Sequence, residues 1–262
     1  KQLAKLADLF VNDAFSCSHR AHASICKITE FLPSFAGLQL ETEINALKKV
    51  TSEIKKPTSC IIGGAKISTK INVISSLIEK INNLVIVGAM ANNFFVYKNF
   101  KVGKSLVEKN TEEIIKQIYD KASKYECKVI IPEDCVVSTG FEGKGNNKNL
   151  NEIEENEIIL DIGYNTVKKI KQIVDQSKTV LWNGPAGYFE NKNFLNGTIS
   201  IAKVISKNTF NKSLVSILGG GDTLAAVNKS KNKLSFTHLS TAGGAFLEYL
   251  EGKDLPGISV LK

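Results

Sequence analysis

From about residue 58 to its end, the chain alternates short β-rich runs with amphipathic stretches of helical period, an order that leaves few folds open. Strands are expected over 59–62, 84–87, 128–132, 157–160, 179–182, 214–218 and 235–239. Helices are expected between them, over 69–80, 89–97, 111–124, 166–176, 197–206, 223–227 and 243–251. Successive β-α units join parallel strands through right-handed crossovers, and such a sheet must be covered on both faces. The expected fold is therefore α/β, a Rossmann-like three-layer parallel sheet. Residues 140–156, polar and rich in Gly and Asn, are expected to be a surface excursion, and no repeat of solenoid spacing interrupts the pattern.

Ahead of residue 58 the character differs. Residues 39–56 carry Leu40, Ile44, Leu47 and Val50 on one stripe, the pattern of a long amphipathic helix that Pro57 would end. Before it stands only a short apolar run, 9–11, followed by Asn12, Asp13, Ala14 and Phe15. A lone strand of that length makes no domain, so the first residues are expected to be the tail of a larger unit. The sequence starts without Met and inside an amphipathic pattern, the expectation for part of a longer chain.

Composition excludes several classes. With 43% hydrophobic and 23% charged residues, the chain is neither disordered nor fibrous. No run of about 18 apolar residues could cross a bilayer, and no signal-peptide pattern opens the sequence. The net charge of +8 raises nucleic acid as a partner, yet Arg20 is the sole arginine among 34 basic residues and the lysines are spread thinly. Base readout and bidentate phosphate contacts favour Arg, so neither nucleic acid nor a membrane is an expected partner. Cys17, Cys26, Cys60, Cys127 and Cys135 form no CxxC pair, which argues for a reducing compartment, the cytoplasm, with most of the thiols packed as small hydrophobes.

Ligands of open parallel sheets bind beyond the carboxyl ends of the strands, and four glycine-rich turns fall there. Gly63 and Gly64 precede Lys66 and Lys70, two cations four residues apart that would share one face if a helix begins by Lys66. Asn183, Gly184, Pro185, Gly187 and Glu190 follow the strand 179–182, where amide and carboxylate groups suit a sugar. Gly219, Gly220, Gly221, Asp222 and Thr223 lead from a strand into a helix, with Asp222 either a cap or a Mg²⁺ ligand. Gly243 and Gly244 open the last helix. One such turn alone is weak evidence and also reads as plain structure, but four at strand ends, with two lysines and an aspartate, indicate a nucleotide-phosphate site. Gly103-Lys104-Ser105 is no P-loop, since Lys98 stands where its first glycine belongs, and no GxGxxG dinucleotide fingerprint occurs. Asp13, His19, Arg20 and His22 cluster in sequence; Arg20 suits a carboxylate or phosphate, while the histidines and His238 read as packed structural residues.

Taken in order, the stretches NDAF (12–15) with His19-Arg20-Ala21, GGAKISTK (63–70), WNGPAGYFE (182–190), GGGDT (219–223) and STAGGAF (240–246) closely resemble the phosphoglycerate kinase family along the whole chain. The resemblance implies a two-lobed, monomeric glycolytic enzyme that transfers a phosphoryl group reversibly between 1,3-bisphosphoglycerate and ADP, giving 3-phosphoglycerate and ATP with Mg²⁺. It divides the chain into a remnant of the substrate lobe (1–38), a hinge helix (39–57), the nucleotide-binding lobe (58–245) and a segment returning toward the substrate lobe (246–262). By matching positions, Arg20 binds substrate, Lys70 the nucleotide phosphates, and Lys66 the transferring phosphoryl group. Gly163, Asn183, Pro185, Gly187 and Glu190 contact adenosine, and Gly88 also binds the nucleotide. Gly220, Gly221, Asp222 and Thr223 hold phosphate, with Asp222 at Mg²⁺, and Gly243 and Gly244 stabilise the phosphoryl in flight. Two departures stand out. Most of the family's substrate lobe has no counterpart here, which leaves a non-catalytic nucleotide-binding module as the alternative. Ala89 also replaces a glycine that lies close to adenine.

Overall fold

A computed structural model describes residues 1–261. The main sheet has six strands, all parallel, in the order β11-β10-β9-β3-β4-β5. They are β3 (Thr58–Ile62), β4 (Asn83–Ile86), β5 (Lys128–Ile130), β9 (Thr179–Asn183), β10 (Val215–Gly219) and β11 (His238–Ser240). Alternate side chains feed two separate cores. Cys60, Ile62, Leu84, Ile86, Leu181 and Ile217 face one way, while Ile61, Val85, Val180, Trp182 and Leu218 face the other. The first core is completed by α1 (Leu38–Thr51), α2 (Ile71–Ile78), α3 (Met90–Tyr97), α4 (Glu112–Lys124) and α8 (Gly244–Leu250). The second is completed by α5 (Tyr164–Gln176), α6 (Asn196–Phe210) and α7 (Gly221–Asn228). This is the expected three-layer α/β fold.

Packing rather than intrinsic propensity makes the shorter helices. Helix α2 has 8 residues, fewer than the roughly 12–15 an isolated helix needs in water. Its Val73, Ile74, Leu77 and Ile78 are buried, each contributing on the order of 2 kcal/mol, enough to outweigh the unfavourable nucleus.

Several expected boundaries are corrected. The segment 157–160 is not a strand of the main sheet. Strand β8 (Ile158–Ile162) lies instead in a three-stranded antiparallel sheet with β6 (Asp134–Ser138) and β7 (Asn146–Asn149), order β7-β6-β8. The excursion 140–156 therefore contains a strand whose polar residues, Asn146 to Asn149, gave no alternating pattern. Helix α2 begins at Ile71, so Lys66 and Lys70 flank a non-helical turn rather than share a helix face. Helix α1 stops at Thr51, well ahead of Pro57, and the buried face of its stripe includes Glu43. Glu43 meets His238 Nε2 at 2.8 Å, and both side chains are nearly buried. The N-terminal residues form a two-stranded parallel ribbon of β1 (Phe10–Asn12) and β2 (Ser34–Ala36). The chain's end returns to it: α9 (Pro256–Ser259) is tied in by Asn12 Nδ2, which donates to the Gly257 carbonyl at 2.9 Å. Cys60, Cys127 and Cys135 are buried, and burial raises all three thiols above their ordinary range; Cys17 and Cys26 are half-exposed.

Candidate nucleotide site

Strand order decides where a ligand can enter. From β3 the chain runs outward through β4 to β5, and from β9 it runs the other way through β10 to β11, so the connections diverge between β3 and β9. There Ile62 pairs with Asn183, and the turns that follow splay apart to leave a crevice. Two concavities open into it. One, of about 480 Å³, is largely apolar and lined by Gly88, Ala89, Pro185, Ala186, Tyr188 and Glu190, among others. The other, of about 370 Å³, is polar and holds Lys66, Lys70, Asn183, Gly220, Gly221, Asp222 and Thr223. Gly64, Ala65, Pro185 and Asp222 border both, so one ligand can fill the two together. Apolar next to cationic is the arrangement a nucleoside phosphate requires.

Within the polar cleft, Lys70 Nζ donates to the Gly63 carbonyl and to Asn183 Oδ1, each at 2.6 Å. Burial pulls its ammonium down to about 8, against the opposing charge of Asp222. Asn183, expected at adenosine, lines the polar cleft and bridges Lys70 to the Gly219 carbonyl, to which Nδ2 donates at 2.7 Å. Gly220 has φ +96°, and a Cβ there would lie 2.7 Å from Asn183 Nδ2, so only glycine fits. Thr223 Oγ1 is committed to the fold: it accepts from Gly184 N–H at 2.7 Å and donates to the Gly219 carbonyl at 2.9 Å. Lys66 and Asp222 are both exposed.

In the apolar cavity, Gly88 has φ +68°, and a Cβ would sit 2.9 Å from the Pro185 carbonyl oxygen. Ala89, with φ −61°, is ordinary helical backbone, so its methyl is carried without strain and forms part of the wall. Of the other residues expected at adenosine, Gly187 and Glu190 line the cavity, and Gly163 lies outside it. It starts α5 with its backbone pressed against the Asp134 carboxylate, where any side chain would collide. The wall also holds Asp161, which sequence reasoning missed. Burial pushes its carboxyl up to about 7, opposed by hydrogen bonds from Gly197 N–H (2.7 Å) and Ile162 N–H (2.9 Å). Phe141 and Tyr188, ring centroids 5.1 Å apart, add an aromatic edge that a glycine-rich excursion did not signal.

Gly243, Gly244 and Arg20 stand outside both concavities. Gly244 faces the His19 ring, and Arg20 is exposed. Asp13 is spent on structure, its Oδ1 accepting from Leu40 N–H at 2.9 Å. Among the described residues no cluster of three or more His, Cys, Asp or Glu could hold a metal unaided.

A three-layer α/β lobe with adjoining apolar and cationic hollows at the divergence of a parallel sheet defines the class: a doubly wound α/β fold with its ligand crevice at the switch point of the strand order. Comparison with known proteins narrows it. A model of the phosphoglycerate kinase family matches residues 1–253. A phosphoglycerate kinase of Wolbachia pipientis wMel is 47% identical over 264 residues, covering 100% of this chain and 66% of the relative. That of Bartonella quintana (strain Toulouse) is 45% identical over 262 residues, covering 99% and 66%. Among solved structures, phosphoglycerate kinase from Coxiella burnetii superposes with a TM-score of 0.92 at 38% identity, over 99% of this chain and 67% of that one. The chain belongs to the phosphoglycerate kinase family, and it spans 66% of the length of these curated relatives.

Proposed function

We propose that this chain supplies the nucleotide half of a phosphoglycerate kinase: Mg-ADP or Mg-ATP binds across the two hollows, and phosphoryl transfer runs reversibly between 1,3-bisphosphoglycerate and ADP. The observation that carries this reading is Lys70, a mostly buried cation facing the glycine turn 219–223 beside a cavity of nucleoside size. The base and sugar occupy the apolar cavity, with Glu190 at its rim. The phosphates extend over Gly220 and Gly221 toward the start of α7, whose cap residue, Gly220, has no side chain to satisfy the first N–H groups. Lys70 neutralises charge from one side, and Lys66, on the exposed turn, reaches the transferring group. A loose transition state of this kind needs positioning and charge neutralisation, not a covalent intermediate.

Asp222 fits Mg²⁺: one exposed carboxylate beside a phosphate turn is the usual protein share, the other ligands being phosphate oxygens and water. The ion would offset charge on the phosphates. On the same reading, residues 1–38 belong to the lobe that binds 3-phosphoglycerate, with Arg20 in its basic patch. Residues 39–57 form the hinge, Gly243 and Gly244 meet the phosphoryl group when the lobes close, and the protein works as a cytoplasmic monomer.

Calorimetric titration with ADP, with and without Mg²⁺, tests it. Magnesium should tighten binding at least tenfold in the wild type and leave Asp222→Asn unchanged. Binding indifferent to both would contradict the assignment.

A further inference from the structure

The turn that bears Lys66 is held from outside by a residue no motif contains. Glu108 lies on the loop between α3 and α4, and its carboxylate accepts from the Ser68 hydroxyl and from the Ser68 N–H (3.2 Å). Ser68 lies within a single turn closed by Lys70 N–H to the Ile67 carbonyl (3.0 Å) and by Thr69 Oγ1 to the Lys66 carbonyl (2.9 Å). Ile67 is fully buried beneath it, so the turn is pinned below by packing and above by Glu108. Glu108 is itself fixed. Its N–H donates to Oδ1 of the buried Asn93 at 2.8 Å, and the neighbouring Asn92 donates to the Leu106 carbonyl at 2.9 Å. Both asparagines sit on α3, whose Met90 N–H bonds the Gly64 carbonyl at 2.8 Å. The strut thus runs from the glycine pair, through α3 and Glu108, back to the turn those glycines start.

We propose that Glu108 is a positioning residue for Lys66: acting as a cap supplied by another element, it fixes the turn so that the lysine is aimed before phosphate arrives. This deepens the nucleotide reading above and rests on it. Charge alone argues the other way. A carboxylate near Lys66 opposes a phosphate, so if Glu108 acted only through its field, removing it would tighten anion binding. If it acts by positioning, removing it frees the turn and loosens binding, by about tenfold, the scale of a lost helix cap.

The test titrates the full chain with adenosine, which reads the apolar cavity alone, and with the magnesium complex of a non-hydrolysable ATP analogue, which also reads the lysines. Glu108→Ala should loosen the analogue about tenfold and leave adenosine within twofold; Glu108→Asp should recover part of the loss. Ser68→Ala, at an exposed position that does not endanger folding, should loosen the analogue in the same sense. In a Lys66→Ala background, Glu108→Ala should have no further effect. Unchanged or tighter analogue binding, equal loss for adenosine, or an undiminished effect without Lys66 would each overturn the proposal. If the wild type bound neither ligand, the nucleotide reading itself would fall, an outcome separate from all of these.

Discussion

Lys70 is held on two sides before any ligand comes, by the Gly63 carbonyl and the Asn183 amide, neither of which brings a full charge. Its depressed value near 8 gives pH two opposite effects. Phosphate affinity needs the ammonium, so Mg-ADP binding should weaken by up to about tenfold per unit as pH rises above 8. Fold stability moves the other way. Between 8 and the ordinary lysine range the unfolded chain binds the extra proton, so the Lys70 contribution to stability is complete above that range and is lost as pH falls through 8. Calorimetry and urea unfolding across pH 7–10 should show both trends, and Lys70→Met should flatten both. Lys66, Lys70 and Asp222 were legible in the sequence because glycine turns between strand and helix leave few jobs for a cation or a carboxylate. The partner of Lys70 was not. Asn183 lies within a motif suited to a sugar, and only the pairing of β3 with β9 turns its amide toward the lysine.

At the scale of elements, the helices around the site share a device: carboxylates from elsewhere in the chain cap them. Asp13 serves α1 through Leu40 N–H, and Asp161 serves α6 through Gly197 N–H. Asp134 serves α5 through Asn165 and Thr166 N–H, at 3.0 and 2.8 Å, and Glu108 serves the turn before α2. The residues at the helices' own starts, Gly37, Lys70, Gly163 and Leu195, provide no side-chain cap. Local capping signals were therefore silent, and helix starts drawn from periodicity alone missed by one to two residues at all four of these helices. Asp134 also accepts from Thr166 Oγ1 and Asn147 Nδ2; although burial tends to raise its carboxyl, these bonds hold it below its ordinary value. Asp134→Ala should cost about 1–3 kcal/mol in urea unfolding at pH 7. Because the folded value is lowered, that contribution is full above the usual carboxylate pKa and disappears as pH falls below it, so wild type and variant should converge in acid.

For the molecule as a whole, alternation of strands and helices was enough to read the three layers, since parallel strands buried on both faces give continuous apolar runs such as Cys60-Ile61-Ile62. The antiparallel annex was not legible: β7 is Asn-Asn-Lys-Asn, a strand made by pairing with β6 rather than by its own propensity. That annex matters to function because β8 carries Asp161 and part of the cavity wall beside the main sheet. It completes the apolar hollow next to the cationic one, and the division of labour between the two hollows can be measured. The chain should be titrated calorimetrically with Mg-ADP and with adenosine, as wild type and as Lys70→Ala. Wild type should bind Mg-ADP, and Lys70→Ala should lose at least tenfold for Mg-ADP while holding adenosine as before. Mg-ADP binding that survives the loss of Lys70 would show that the phosphates lie elsewhere and that this crevice is not the nucleotide site.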